Sequence, residues 1–195
     1  MISSIDVSND TQSSLAGHLL IATSVVQNSC FNRSVIYLCA HNTEGAMGII
    51  VNYPVENIGI KDIFEQLDIK GQPALRDIPI HFGGPVEANR GFVLHSADYA
   101  SDESLIRKDG IAVTASLSIL QALAQGDGPE QGMLVLGYAG WSPKQLEAEI
   151  EAGNWIVVPA SSELVFGRDN GTKWNSAIST LGIDMGHFSS EVGHA

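Results

Sequence analysis

The sequence predicts an α+β protein, a single domain built on a mixed β-sheet with helices on its faces. Three observations carry this. Ser34 to Asn52, SVIYLCAHNTEGAMGIIVN, reads as two strands joined by a turn, and both faces of each strand are largely apolar, as in a sheet covered on both sides. Ile60, Ile63, Phe64 and Leu67, and again Trp174, Ala177, Ile178 and Leu181, fall at i, i+3, i+4 and i+7, the stripe of an amphipathic helix. Hairpin-like neighbours come early and strand–helix units later, an irregular alternation that suits a mixed sheet better than a doubly wound one.

Taken in order, residues 1–13 are polar and expected to fray, 14–183 form the domain, and 184–195 read as a loose tail. His18 to Ala22 is a short strand, followed by a loop to Arg33. In the central hairpin Asn42-Thr43-Glu44-Gly45 is turn chemistry, with Gly45 free to take a positive φ. Pro54 ends the second strand because it cannot donate to a ladder. The 60–67 helix is closed by Gly71 and Pro73. Ile78 to Phe82 is a strand running into the sharp turn Gly83-Gly84-Pro85, and Gly91 to His95 is the next. Ser96 to Gly110 is polar and is expected to be an exposed excursion. Ile111 to Thr114 is a strand, Ser116 to Gln125 a helix ended by Gly126, and Met133 to Tyr138 a central strand. Ser142-Pro143-Lys144-Gln145 has the form of a capping box, which starts a helix at Pro143 that Gly153 ends. Trp155 to Val158 is a strand stopped by Pro159.

The chain has 195 residues, 44% of them hydrophobic, and a formal net charge of -12. Such a surface repels phosphate backbones, and no run of Lys and Arg offsets it, so direct nucleic-acid binding and docking on anionic membranes are both disfavoured. Two cysteines, Cys30 and Cys39, are too few for a disulfide scaffold. The N-terminal stretch lacks a basic segment and an apolar core, and no apolar run reaches the ~20 residues that span a bilayer. A cytoplasmic protein with reduced thiols is expected.

Phosphate-binding fingerprints and metal-ligand spacings are missing, so no cofactor and no metal are expected. Gly83-Gly84-Pro85 has two readings, a small anion nest or a tight turn that needs glycine. Among the six histidines, His41, His81 and His95 lie at or near strand ends; they either converge on a site or are separately hydrogen-bonded. Gly137 to Ser142 joins the central strand to a helix, with Trp141 either stacking on a ring or packing as core. Glu147 and Glu151 sit four apart with no basic partner between them, as on a solvated face or a surface kept for a partner. Cys39 and His41, at i and i+2, are expected on one face of the strand, where a protonated imidazole would lower the thiol pKa; burial would raise it.

The stretches Phe31-Asn32-Arg33-Ser34-Val35-Ile36-Tyr37, His41 to Gly48, Asn52, Phe82 to Val86, Gly91 to His95, and Gly137 to Pro143 with Gln145-Leu146-Glu147 together resemble the AlgH/YqgE family of bacterial proteins, over about Leu15 to Ile183. The resemblance implies an α+β fold with a bulged, mixed sheet and a cytosolic bacterial protein. One branch of that family carries the name of a regulator of alginate synthesis, though its fold implies no direct DNA binding. Arg33, His41, Glu44, Asn52, Gly83, Gly84, Gly140 and Trp141 match the family motifs, without established roles; all but His41 are carried over as candidate binding residues.

Two functions follow. The first is a regulatory or interaction protein without chemistry of its own, whose partner is an unknown protein or small ligand. The second is an enzyme or thiol-based redox sensor, with Cys39 and His41 as its catalytic pair. The sequence sets neither the partner nor the oligomeric state.

Overall fold

Alternating apolar residues build nine strands among the described residues, joined into one sheet. The structure is a computed structural model that describes residues 14–27, 29–71 and 78–182. The fraying start and the loose tail expected from the sequence, and Pro73, lie outside them.

Strand β1 (His18–Ala22) pairs antiparallel with β2 (Val35–Asn42) and with β9 (Trp155–Pro159). β2 turns tightly into β3 (Gly45–Ile50), with Asn42 opposite Gly45 as the turn chemistry requires. β5 (Val86–Ser96) pairs with β7 (Ile111–Thr114), and β7 with the short β6 (Ser104–Ile106). β8 (Gly132–Trp141) joins the halves: residues up to Leu136 and Tyr138 pair with β5, while Ala139, Gly140 and Trp141 pair with β3. Only β4 (Ile80–Phe82) runs parallel to its neighbour, also β8, which makes the sheet mixed.

Three apolar clusters fix the layers. Tyr37, Phe92, Leu94, Ile111, Val135 and Val158 share one of them, so strands far apart in the sheet order meet and the sheet must curl around its inner face. Val165 of α4 (Ser162–Phe166) and Ala177 and Ile178 of α5 (Lys173–Ser179) join the same cluster. On the outer face, α1 (Ile60–Gln66) and α2 (Leu117–Gln125) cover Ile80, Val93 and Leu134. Further along it, Leu146 of α3 (Gln145–Glu151) packs on Leu20, Ile36, Leu38 and Trp141. The stripes expected for α1 and α5 are right at Ile60, Phe64, Ala177 and Ile178; Leu67 and Leu181 stay exposed because each helix has already ended.

Three expectations need correction. The polar stretch after Ser96 is not a free excursion: it folds back as β6 and returns Arg107 and Asp109 to β2. Gly137 to Trp141 does not leave the sheet; the strand changes partner at Gly137, whose φ is +73°, and continues to Trp141. Helix α3 starts at Gln145, preceded by Lys144 in the left-handed region, and Ser142 makes no side-chain cap bond to it. Half of the capping box survives, since the Gln145 side chain accepts from the Ser142 backbone N–H at 2.9 Å.

Candidate functional site

A β-bulge decides the fate of the Cys39 and His41 pair. Opposite Gly48 and Met47 of β3, β2 places Leu38 and Ala40, so Cys39 is the extra residue. A bulged strand puts successive side chains on one side and inverts the alternation beyond it. Cys39 therefore points into the inner core with Tyr37, while His41 turns to the outer face beside α3. The carbonyl freed by the bulge is taken by Arg107, whose Nε and Nη2 donate to Cys39 O at 2.9 and 2.6 Å. Burial pushes the Cys39 thiol up to about 12, an effect that Arg107 only partly opposes. Tyr37 beside it is raised too, by burial and by its hydrogen bond to Asp109 at 2.8 Å. The pair predicted to act together is split between two faces of the sheet.

On the outer face, His41 Nδ1 accepts from the Leu15 backbone N–H at 3.0 Å, so Nε2 carries the proton that it shares with Glu147 at 3.1 Å. Glu147 thus has a partner on β2, while both Glu147 and Glu151 stay exposed on a solvated face. Glu149, two residues on, had no signal in the sequence. Its Oε2 accepts from Trp141 Nε1 at 2.9 Å and Trp155 Nε1 at 2.7 Å, and its Oε1 accepts from Gln145 at 2.9 Å. Trp141 is core, edge-on to Trp155. Glu44 lies exposed in the turn with its N–H on Asn42 Oδ1, and Gly140 pairs with Met47.

Arg33 and Asn52 meet at another corner. Asn52 Oδ1 accepts from Val35 N–H at 2.8 Å, and its Nδ2 donates to Arg33 O at 2.9 Å, which holds Arg33 at its positive φ of 57°. The Arg33 guanidinium then lies 4.7 Å from the centre of the Trp174 ring and donates to Asn175. Lys173 pins the same helix from below, donating to Val51 O and Val165 O at 2.7 and 2.8 Å. Gly83 spends its N–H on Leu136 O and its C=O on Ile50 N–H, which favours the tight-crossing reading over an anion nest. At Gly84 any side chain would overlap the Tyr138 backbone.

The motif residues therefore serve separate corners of the fold. A cleft lies elsewhere, by the start of β4 and the start of β8. It has a volume of about 370 Å³ and is walled by the start of β4, the start of β8 and the connection from α4 to α5. His81 lines it, and is 1% exposed. Its Nε2 contacts Asn170 Oδ1 at 3.2 Å, and its Nδ1 has no partner among the described residues. With Asn170 Oδ1 accepting, Nε2 carries the proton and Nδ1 keeps a bare lone pair that is itself buried. Burial lowers the His81 pKa, and the charge of Lys173 adds to this against the Asn170 bond, so the ring is neutral at pH 7. Of the three strand-end histidines, His95 is satisfied by Ser96 O and Thr114 at 2.8 Å each, and His41 by Leu15 and Glu147. Only the ring of His81 keeps an unspent edge, a difference the sequence could not show.

Comparison with known proteins gives a consistent result. A family model described as AlgH-like matches residues 19–186. A UPF0301 protein of Afipia carboxidovorans is 49% identical, over 93% of this chain and 90% of its own length. Another, of Nitrobacter hamburgensis, is 48% identical over 97% and 92%. Among solved structures, the solution structure of AlgH from Pseudomonas aeruginosa superposes with a TM-score of 0.75 at 34% identity, covering 96% of this chain and 99% of that one. A Corynebacterium diphtheriae protein shares the fold at a TM-score of 0.66 and 21% identity, over 88% and 89%.

Proposed function

The chain belongs to the AlgH-like family, and from that premise we propose that it is a cytoplasmic regulatory protein that acts by binding, with a small molecule in the His81 cleft and no direct contact with DNA. The observation that carries this is the cleft itself, about 370 Å³, with His81, Arg168, Asn170, Met133 and Phe166 on its walls. Clefts of this size suit small organic molecules.

The cleft is also mechanically linked to the rest of the fold. Asn170 on its wall lies three residues before Lys173, which ties α5 to Val51, just past β3, and to α4 through two carbonyls. An occupant that moves Asn170 therefore loads α5, and α5 carries Trp174 and Asn175 to the Arg33 corner. A protein partner that reads that corner would sense the ligand. The thiol-sensor alternative loses its support, because Cys39 is buried, has its pKa raised and faces away from His41.

A fragment screen on isotope-labelled protein tests the reading, with backbone and imidazole resonances as reporters. Hits should move His81, Asn170 and Met133 together, and the His81→Phe variant should lose them. Duplex DNA should bind no tighter than about micromolar at physiological salt. A screen in which no fragment perturbs the cleft, or a DNA footprint at a defined site, overturns the proposal.

A further inference from the structure

We propose that His41 is a pH-sensitive latch: the neutral ring holds Ser14 to Ala16 against the end of β2, and the protonated ring lets them go. The inference concerns the outer face and is independent of the cleft. It starts from a fixed tautomer. A backbone N–H only donates, so the Leu15 N–H at 3.0 Å requires a bare Nδ1 on His41. Nε2 then carries the ring proton and donates to Glu147 at 3.1 Å. Both edges of the neutral ring are spent. A second proton has only Nδ1 to go to, where it faces the Leu15 N–H, donor against donor. Protonation and the Leu15 bond therefore exclude one another.

The surroundings decide which gives way. Glu147 favours the charged ring, and Lys144, which acts on the same carboxylate, works against it. β3 sets Ala46 opposite His41, and the segment before β1 brings Ser14 and Leu15, none of them charged. Asp109 meets Tyr37 on the opposite side of the sheet, and Arg107 meets the Cys39 carbonyl. The latched segment is held lightly. Ser14 Oγ donates to His41 O at 2.9 Å, His18 N–H donates to Leu15 O at 3.1 Å, and Leu15 packs against the cluster of Leu20, Ile36 and Leu38. Gly17 is tied separately to Leu38 O at 2.9 Å, so β1 keeps its place when the segment leaves. Release uncovers an apolar spot on the outer cluster, next to α3. One proton separates the two states, so the ratio of released to latched chains rises by up to about tenfold for each pH unit of acidification.

The test is a pH titration of the nitrogen-labelled full chain, from about 8 to about 5.5. Imidazole nitrogen shifts report the tautomer and protonation of His41, and the heteronuclear NOE of the Leu15 amide reports its order. At the alkaline end Nδ1 should have the shift of a bare, hydrogen-bonded nitrogen, and Leu15 should be as ordered as β1. As His41 takes up its proton, the Leu15 NOE should fall with the same midpoint while that of Leu19 stays unchanged. His41→Asn is the control, because its side-chain oxygen takes the place of Nδ1 and does not titrate; there Leu15 should stay ordered throughout. Leu15 ordered beside a protonated His41 overturns the latch, since the Glu147 ion pair would then coexist with the closed segment. So does a ring that stays neutral to the acid end, or a Leu15 that loosens equally in His41→Asn. If the Asn variant does not fold, the parent chain decides alone: coincident midpoints support the latch and separate ones refute it.

Discussion

Replacing Glu149 by alanine should destabilise the protein more than any other single change on the exposed side of α3. The carboxylate sits where β8, β9 and α3 meet, and one of its oxygens accepts from two indoles at 2.9 and 2.7 Å. Trp141 and Trp155 are 7% and 4% exposed, so their N–H groups have little access to water once the carboxylate is gone. A hydrogen bond to a charged group contributes about 1.5–3 kcal/mol, and Ala recovers a few tenths through helix propensity. Because Glu149 itself is only half-buried, water enters part of the vacated space, and the low end applies to each bond. The expected loss is about 3 kcal/mol. Glu149→Gln keeps one oxygen for both indoles, and its amide can meet the Gln145 side chain after a flip, so it should lose about 1 kcal/mol. Urea unfolding followed by tryptophan fluorescence and far-ultraviolet circular dichroism measures both. An alanine variant within about 0.5 kcal/mol of the parent refutes the acceptor argument. A glutamine variant as unstable as alanine would show that the charge matters, and not the acceptor geometry.

Other predictions concern the bulge, the strand crossing and the buried lysine. At pH 8 iodoacetamide should modify exposed Cys30 and leave Cys39 untouched, since burial holds that thiol at about 12; His41→Ala should change neither rate, and fast labelling of Cys39 in the folded protein would contradict the bulge. Gly84→Ala should prevent stable folding, because its side chain would overlap the Tyr138 backbone, whereas Gly153→Ala meets nothing and should cost only about 1 kcal/mol for its positive φ; a soluble, native-like Gly84→Ala protein would refute the crossing. Burial lowers Lys173 from 10.5 to about 8, so across that window the unfolded chain binds a proton that the folded one has lost. Stability relative to Lys173→Met should therefore rise as pH goes from about 8 to 10.5 and be flat below it; urea midpoints that run parallel across the window would sink the assignment.

Period and punctuation made much of this fold legible. The apolar alternation of Val35 to Ile50, the stripes Ile60–Phe64 and Ala177–Ile178, and the breaks at Gly126 and Gly153 are local signals, whereas β3 ends at Ile50, short of Pro54, which bridges to His81 instead. Each depends on residues a few positions apart, and the structure has an element or an end at each. Composition also set the charge that argues against DNA. What the tertiary structure alone decided are the features that need a distant partner. The bulge at Cys39 adds one residue without changing any residue type, and the carbonyl it frees is met by Arg107, 68 positions along the chain. That single insertion reversed the face of His41 and dissolved the dyad that strict alternation predicts. Glu149 looks like any exposed helix carboxylate until β8 and β9 bring two indoles to one of its oxygens. His81 reads like His41 and His95 in sequence, and only packing leaves its Nδ1 without a partner among the described residues while the ring lines a cleft. Sequence sets which side chains are available along each element, but whether a polar atom is paired is fixed by chain segments tens of residues away, as the bonds of Glu149 and the orphaned His81 Nδ1 both show.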